Sequence, residues 1–410
     1  MITTVTAQAP MRLLPIPVLW QRQRLQKIRA QQLRMCARAH LRTVQLRAQL
    51  VQRRCTVGIR ATARIWIEIM TALAVNPVHA AVDKQKSCRL RSGLLLDVPQ
   101  CCISMNQVAT LSYTERQTHF DRQYNARASV QDALAYMARY HQESQAAFRL
   151  PGAVRHQRYS PRATDVLDIY VPQTQAVQAL AAPVFIYIHG GYWRALGKDD
   201  SAFMAPALTQ AGAVVVVPDY DLAPAVTLDH IVDQMRQAYA WVVRNIAIYG
   251  GDARNICVCG SSAGGQLVGM LLAKGWLADY DLPASATPAS AFPLSGLFDL
   301  QPLITTHINE WMQLDDAAAM RNSPRFALPD ASTHSQCQLR VACGEFETTE
   351  FQRQSREYLA AWQARCLPGQ WVQAPATNHF DLPLGLADTQ SPVYQTALAL
   401  MGLSPAARSA

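Results

Sequence analysis

Residues 256–265, Ile-Cys-Val-Cys-Gly-Ser-Ser-Ala-Gly-Gly, restrict the fold of this chain more than any other stretch. Four apolar residues, Ile256 to Cys259, run up to Gly260, and just past Ser262 the residues Leu267, Met270 and Leu271 recur at helical spacing. That order predicts a buried strand, a sharp turn and an amphipathic helix, with Gly-x-Ser-x-Gly (Gly260, Ser262, Gly264) at the turn. A turn of this kind strains the serine backbone and lifts the hydroxyl clear of the sheet. Gly260 and Gly264 are required because a β-carbon at either place would strike the neighbouring strand or helix. Ser262 then sits at a helix N-terminus, where unpaired N–H groups and the positive dipole end favour developing negative charge.

The flanking sequence alternates strand and helix. Val166 to Pro172 alternates as a half-buried strand, and Val184 to Ile188 and Ala213 to Pro218 are continuous apolar runs suited to strands covered on both faces. Ala289–Leu294, Leu339–Cys343 and Gln370–Gln373 read as further strands. Helical patterns cover residues 114–123, 130–149, 228–248, 308–320 and 349–365. Alternation of this kind implies a mostly parallel sheet wrapped by helices, with ligands bound at the carboxyl ends of the strands.

Charge divides the chain near residue 105. Residues 1–104 hold 17 Lys and Arg against 3 Asp and Glu, whereas residues 105–410 hold 21 against 26. The first piece is Arg- and Gln-rich and patchily amphipathic. It resembles an organellar leader, and a non-specific nucleic-acid or membrane contact is a second reading. The favoured expectation is a segment that is disordered or not part of the natural protein, with the globular domain spanning residues 105–410. Glu68, Asn76 and Pro77 interrupt the apolar patch over 65–82, so no membrane span is assigned. Ten cysteines split evenly about residue 105 without paired Cys-x-x-Cys sites or a disulfide spacing among the later five, which points to a reducing, cytoplasmic setting. The expected partner is a small-molecule substrate, with no cofactor, metal, membrane or nucleic acid; a homodimer is allowed.

A serine hydroxyl needs a base to take its proton and an acid to orient that base, and the elbow pattern orders these along the chain as Ser, Asp or Glu, then His. His379, after the last strand, is the only histidine beyond His334 and is the natural base. The acid lies in the loop after Leu339–Cys343, where Glu345 and Glu347 compete. Glu347 is favoured because its distance past Gly344 lets the loop turn back, while Glu345 reads as a solvated or paired strand-end residue. The oxyanion of acyl transfer would be met by the N–H of Ala263 and by the loop His189-Gly190-Gly191-Tyr192, whose glycines let the backbone approach. His189 precedes Ser262 and is expected to brace that loop.

Several segments together carry a family resemblance: His189-Gly190-Gly191-Tyr192-Trp193, Pro218 to Pro224, Tyr249-Gly250-Gly251-Asp252 and Gly260 to Gly265. They resemble α/β-hydrolases near the hormone-sensitive-lipase branch. Ser295 to Leu303, Thr349 to Ser355 and Asn378-His379-Phe380-Asp381 narrow the likeness to the serine-dependent kynurenine formamidase (arylformamidase) family, over about three quarters of the chain from Met105 to near Leu403. The resemblance implies an α/β-hydrolase sheet of about eight strands. It also implies metal-free hydrolysis of N-formylkynurenine to kynurenine and formate, with Ser262, His379 and the acid at Glu347. The family usually has Asp there, so Glu347 departs by one methylene. The anilide substrate so implied makes Tyr192, Trp193 and Phe298 candidates for stacking on its ring, with ordinary lining of the pocket mouth or core as the alternative. A general short-chain carboxylesterase is the alternative, because fold and triad do not set the acyl group. A non-catalytic ligand-binding protein of the same fold is the third reading.

Overall fold

The computed structural model describes residues 111–172, 181–334 and 336–404; the basic segment expected over residues 1–104 lies outside them. The described residues hold eight strands in one sheet: β1 Val154–Arg158, β2 Val166–Tyr170, β3 Ala182–Ile188, β4 Val214–Pro218, β5 Gly251–Ser261, β6 Ser290–Leu294, β7 Gln338–Ala342 and β8 Gly369–Val372. Their order is β1-β2-β4-β3-β5-β6-β7-β8, antiparallel at β1/β2 and β2/β4 and parallel from β4 through β8. The expected mostly parallel sheet of about eight strands is therefore present.

Successive strand residues point to opposite faces, and all five residues of β4 and of β6 are buried, so both faces of the sheet are covered. Val184, Phe185, Val214 to Val217, Val258 and Phe292 are wholly inaccessible. Each such side chain contributes roughly 1.5–3 kcal/mol through burial. Helix Leu228–Asn245 shows how the covering layer is specified: Ile231, Met235, Ala238 and Val242 share its buried face. Thr227 caps its N-terminus by accepting from the His230 N–H, with Asp229 in the first turn and Arg244 in the last, each complementing the helix dipole. Among the described residues no helix is long and apolar enough to cross a membrane.

Two departures from the sequence expectations have local causes. β1 is a polar edge strand, Val-Arg-His-Gln-Arg, whose register shifts between Val154 and Gln157; it carries no apolar alternation to detect. The single helix expected over 308–320 is two short ones, Asn309–Met312 and Asp316–Arg321. Gln313 between them adopts a left-handed φ of 50°, and Asp315 caps the second helix by accepting from the Ala318 N–H at 2.6 Å. A strong N-cap inside a helical pattern starts a new helix instead of continuing the old one.

The parallel strands all deliver their carboxyl ends to one edge, and there the chain turns most tightly. A β-carbon on Gly264 would lie 2.0 Å from the Ile188 carbonyl oxygen and 2.6 Å from that of His189. Gly402 ends helix Pro392–Met401 in open space but at φ 71°. We expect Gly264→Ala to cost about 3 kcal/mol or more by overpacking. Gly402→Ala should cost only ~1–2 kcal/mol, from backbone strain. Chemical denaturation of both variants measures the contrast, and comparable losses would refute the steric account.

Candidate active site

Ser262 joins β5 to helix Ala263–Leu271 with φ 58° and ψ −118°, a conformation that costs a non-glycine residue about 1–3 kcal/mol. Two hydrogen bonds hold it there: its N–H donates to Leu294 O at 2.9 Å, and its carbonyl accepts from the Gln266 N–H at 3.1 Å. The hydroxyl stands at the end of the strand, on the wall of a cavity of about 740 Å³. His379, after β8, lines the same cavity.

Behind His379 lies Glu347, after β7. Its Oε2 is 2.6 Å from His379 Nδ1, and both side chains are buried. Glu347 Oε1 accepts from the Gly344 N–H at 2.8 Å and from the Ser295 hydroxyl. Burial alone would raise the Glu347 carboxyl, but His379, Ser295 and Gly344 together hold it below its ordinary value of 4.5. A carboxylate here leaves Nδ1 of His379 as the protonated nitrogen and Nε2 as the proton acceptor. The competing Glu345 is exposed and accepts from the Ala376 N–H at 2.8 Å, so of the two acids only Glu347 meets His379.

The His189–Trp193 loop follows β3 and packs directly on the elbow. A β-carbon on Gly190 would lie 2.8 Å from Ser261 O, and Gly191 takes φ 94°, with Ala195 O only 2.1 Å from where its β-carbon would be. Gly190, Gly191 and Tyr192 line the cavity. The N–H groups of Gly190, Gly191, Tyr192 and Ala263 have no acceptor among the described residues, leaving all four candidate oxyanion donors free. His189 is buried, stacks on Tyr220 at 4.0 Å and approaches Gly190 O with Nδ1 at 3.0 Å; Tyr220 OH in turn donates to the carbonyls of His189 and Gly190. That is a bracing position away from the cavity.

The three aromatic candidates separate. Tyr192 lines the cavity, but Trp193 and Phe298 do not: both are wholly buried. Trp193 Nε1 donates to Gln266 Oε1 at 3.1 Å, and Phe298 stacks on Tyr358 at 4.1 Å, so both are core residues and the stacking role expected for them is corrected. The far wall comes from the N-terminal side of the domain, residues 124–128 together with Met137 and Tyr140 of helix Ala133–Ala147.

This covering segment is tied down through Tyr124, which the sequence did not single out, to Tyr192 and to the Thr349–Ser355 motif. Tyr124 OH donates to Glu350 Oε2 at 2.7 Å and receives Gln354 Nε2 at 2.6 Å, Glu350 pairs with Arg353, and the Tyr124 carbonyl accepts from Tyr192 OH. No local signal marks Tyr124, since its partners are 226 and 230 residues away. Among the described residues no cluster of three or more His, Cys, Asp or Glu side chains is placed to hold a metal.

The chain is similar to known proteins. Residues 167–283 match the family described as BD-FAE. The kynurenine formamidase of Danio rerio is 34% identical over 247 residues, covering 60% of this chain and 81% of that protein. That of Salmo salar is 33% identical over 287 residues, covering 69% and 94%. Among solved structures, a hyperthermophilic esterase from Pyrobaculum calidifontis superposes with a TM-score of 0.54 at 18% identity, over 71% of this chain and 98% of that one, a likeness of fold. The formamidase relatives match over most of their own length, and on that ground this chain belongs to the kynurenine formamidase family of α/β-hydrolases.

Proposed function

We propose that the chain hydrolyses the formamide of N-formylkynurenine to kynurenine and formate, through a formyl-enzyme on Ser262. The observation that carries this reading is the buried Glu347–His379 contact on the wall of the cavity that Ser262 also lines, in a chain of the kynurenine formamidase family. Ser262 Oγ attacks the formyl carbon while His379 Nε2 takes its proton. Charge builds on the formyl oxygen, where the Gly191, Tyr192 and Ala263 N–H groups meet it; one such donor is worth about 10²–10³ in rate. His379 then hands the proton to the anilide nitrogen, which leaves as the aromatic amine. Water attacks the formyl ester with His379 again as base, and formate departs as Ser262 recovers its proton. Glu347 keeps the imidazole in the required tautomer and balances its transient charge.

A short-chain carboxylesterase is the second reading, favoured by the fold likeness to the Pyrobaculum esterase. The leaving group separates the two chemically, since an anilide nitrogen must be protonated to depart and a phenolate need not be. On our reading residues 105–410 carry the activity and residues 1–104 contribute nothing to it. The proposal of a cytoplasmic location rests on four buried free thiols, Cys257, Cys259, Cys337 and Cys343, whereas the disulfide at Cys366 departs from the sequence expectation and counts against a reducing setting.

The deciding experiment compares kcat/KM of the full chain on N-formylkynurenine and on a short aryl ester. We expect the formamide to be preferred and Ser262→Ala to lose roughly 10⁴-fold or more. Turnover of the ester alone would establish the esterase. Deleting residues 1–104 should leave kcat/KM on the formamide unchanged, and a collapse of a still-folded deletion variant would overturn the division of labour. Glu347→Gln should lose about 10³–10⁴-fold in kcat. Because the Glu347 pKa is depressed on folding, its stabilising contribution is present above the ordinary carboxyl value of 4.5 and fades as pH falls through the folded one. The stability gap between native protein and Glu347→Gln should thus be constant near neutrality and narrow in acid. A gap that widens in acid would contradict the assigned charge.

A further inference from the structure

The cavity shared by Ser262 and His379 carries charge of one sign. Among the described residues its walls hold two guanidinium groups, Arg127 and Arg194, the imidazoles of His307 and His379, and no Asp or Glu. The imidazoles already face carboxylates from behind: His307 Nδ1 lies 2.8 Å from Asp121 Oδ1, and His379 meets Glu347. The arginines do not. Arg194 sits over the ring of Trp311, another wall residue, with its guanidinium carbon 4.5 Å from the centroid. Arg127 reaches the Met137 sulfur at 4.0 Å. Neither forms an ion pair among the described residues, whereas Arg155, Arg162, Arg321, Arg325 and Arg353 all do. Both are also exposed, so an incoming solute meets them directly.

Their positions in the chain follow the two walls of the mouth. Arg127 comes three residues after Tyr124 in the covering segment, and Arg194 directly follows the His189–Trp193 loop that carries the oxyanion donors. A guanidinium held over an aromatic face keeps its edge N–H groups available, and its planar fork matches a carboxylate. Two cations exposed on the walls of a concave site, without an ion pair among the described residues, also raise the local concentration of anions. Among the described residues no wall carboxylate is present to receive an ammonium.

We propose that Arg127 and Arg194 make the cavity select substrates bearing a carboxylate remote from the acyl group, and that an ammonium beside that carboxylate is not read. The proposal rests on the hydrolase reading of the Ser262 site. A zwitterionic amino-acid substrate then presents its carboxylate to the arginines and leaves its ammonium in water.

The test uses the full chain and two matched series. The formamides are N-formylkynurenine, its des-amino analogue 4-(2-formamidophenyl)-4-oxobutanoate, and the neutral 2-formamidoacetophenone. The esters are the corresponding aryl acetates, with oxygen in place of the anilide nitrogen. We expect carboxylate-bearing members to exceed the neutral one in kcat/KM by about tenfold or more per guanidinium, mostly through KM. The des-amino analogue should match the amino acid. Arg194→Ala or Arg127→Ala should lower the ratio of anionic to neutral kcat/KM by about tenfold each. Arg194→Lys should restore part of it, and rising ionic strength should erode it. Equal kcat/KM for charged and neutral substrates, equal losses on both in the arginine variants, or a marked loss on removing the ammonium would each overturn the proposal. The two series separate the questions: a charge preference among esters without formamide turnover sinks the formamidase reading and keeps this one. Formamide turnover without charge preference does the reverse.

Discussion

Everything at the site depends on how closely one helix start approaches one strand end. At Gly264 the backbone of helix Ala263–Leu271 comes so near β3 that a single extra carbon would overlap the Ile188 carbonyl. That approach puts Ser262 against the Gly190 backbone and brings the hydroxyl and the oxyanion donors together through main-chain atoms. Main-chain geometry set by a buried parallel sheet does not drift as side chains change rotamer. The strain at Ser262 is sustained because the adjoining strand pairs on both edges, with β3 and with β6.

A second constraint concerns charge. A carboxylate as buried as that of Glu347 is costly unless its oxygens are occupied, and here His379, Ser295 and the Gly344 N–H occupy them. Ser295 itself takes φ 49° just past β6. Three neighbouring strands, β6, β7 and β8, thus each end in one member of a single hydrogen-bonded chain. The extra methylene of Glu relative to Asp is accommodated in an acid whose far oxygen is anchored on both sides.

Much of this was legible in the sequence, for physical reasons that differ by element. Buried parallel strands are written as apolar runs, and the elbow is written as glycines placed where no β-carbon fits, so β3 to β7 and the Ser262 turn could be read directly. Chain order narrowed the acid to Glu345 or Glu347, and only the fold distinguishes the one that caps Ala376 from the one that meets His379. What stayed hidden depends on contacts between distant residues or on polar sequence. β1 lacks apolar alternation, Tyr124 finds its partners more than two hundred residues away, and Trp193 and Phe298 look like ligand contacts until their rings are seen packed into the core. Arg127 and Arg194 are unremarkable in a chain rich in arginine, because only the cavity shows that, among the described residues, they share its walls with no acid.

The anchoring of the covering segment also bears on the order in which the protein comes together. Residues 124–128 wall the cavity, yet Tyr124 is tied to Glu350 and Gln354, on a helix that begins after β7. Contacts of such long sequence separation form late, because the chain between them must first be ordered. During synthesis the covering segment emerges early and waits for the helix that secures it, through the making of seven strands of the sheet. Its helix finds partners sooner, with Tyr140 stacked on Phe203 and Ser144 accepting from the Ala202 N–H, but the Tyr124 hydroxyl has neither Glu350 nor Gln354 over that interval. The Tyr124 end of the cover that shields the finished cavity therefore stays open to misassociation until the helix after β7 is made.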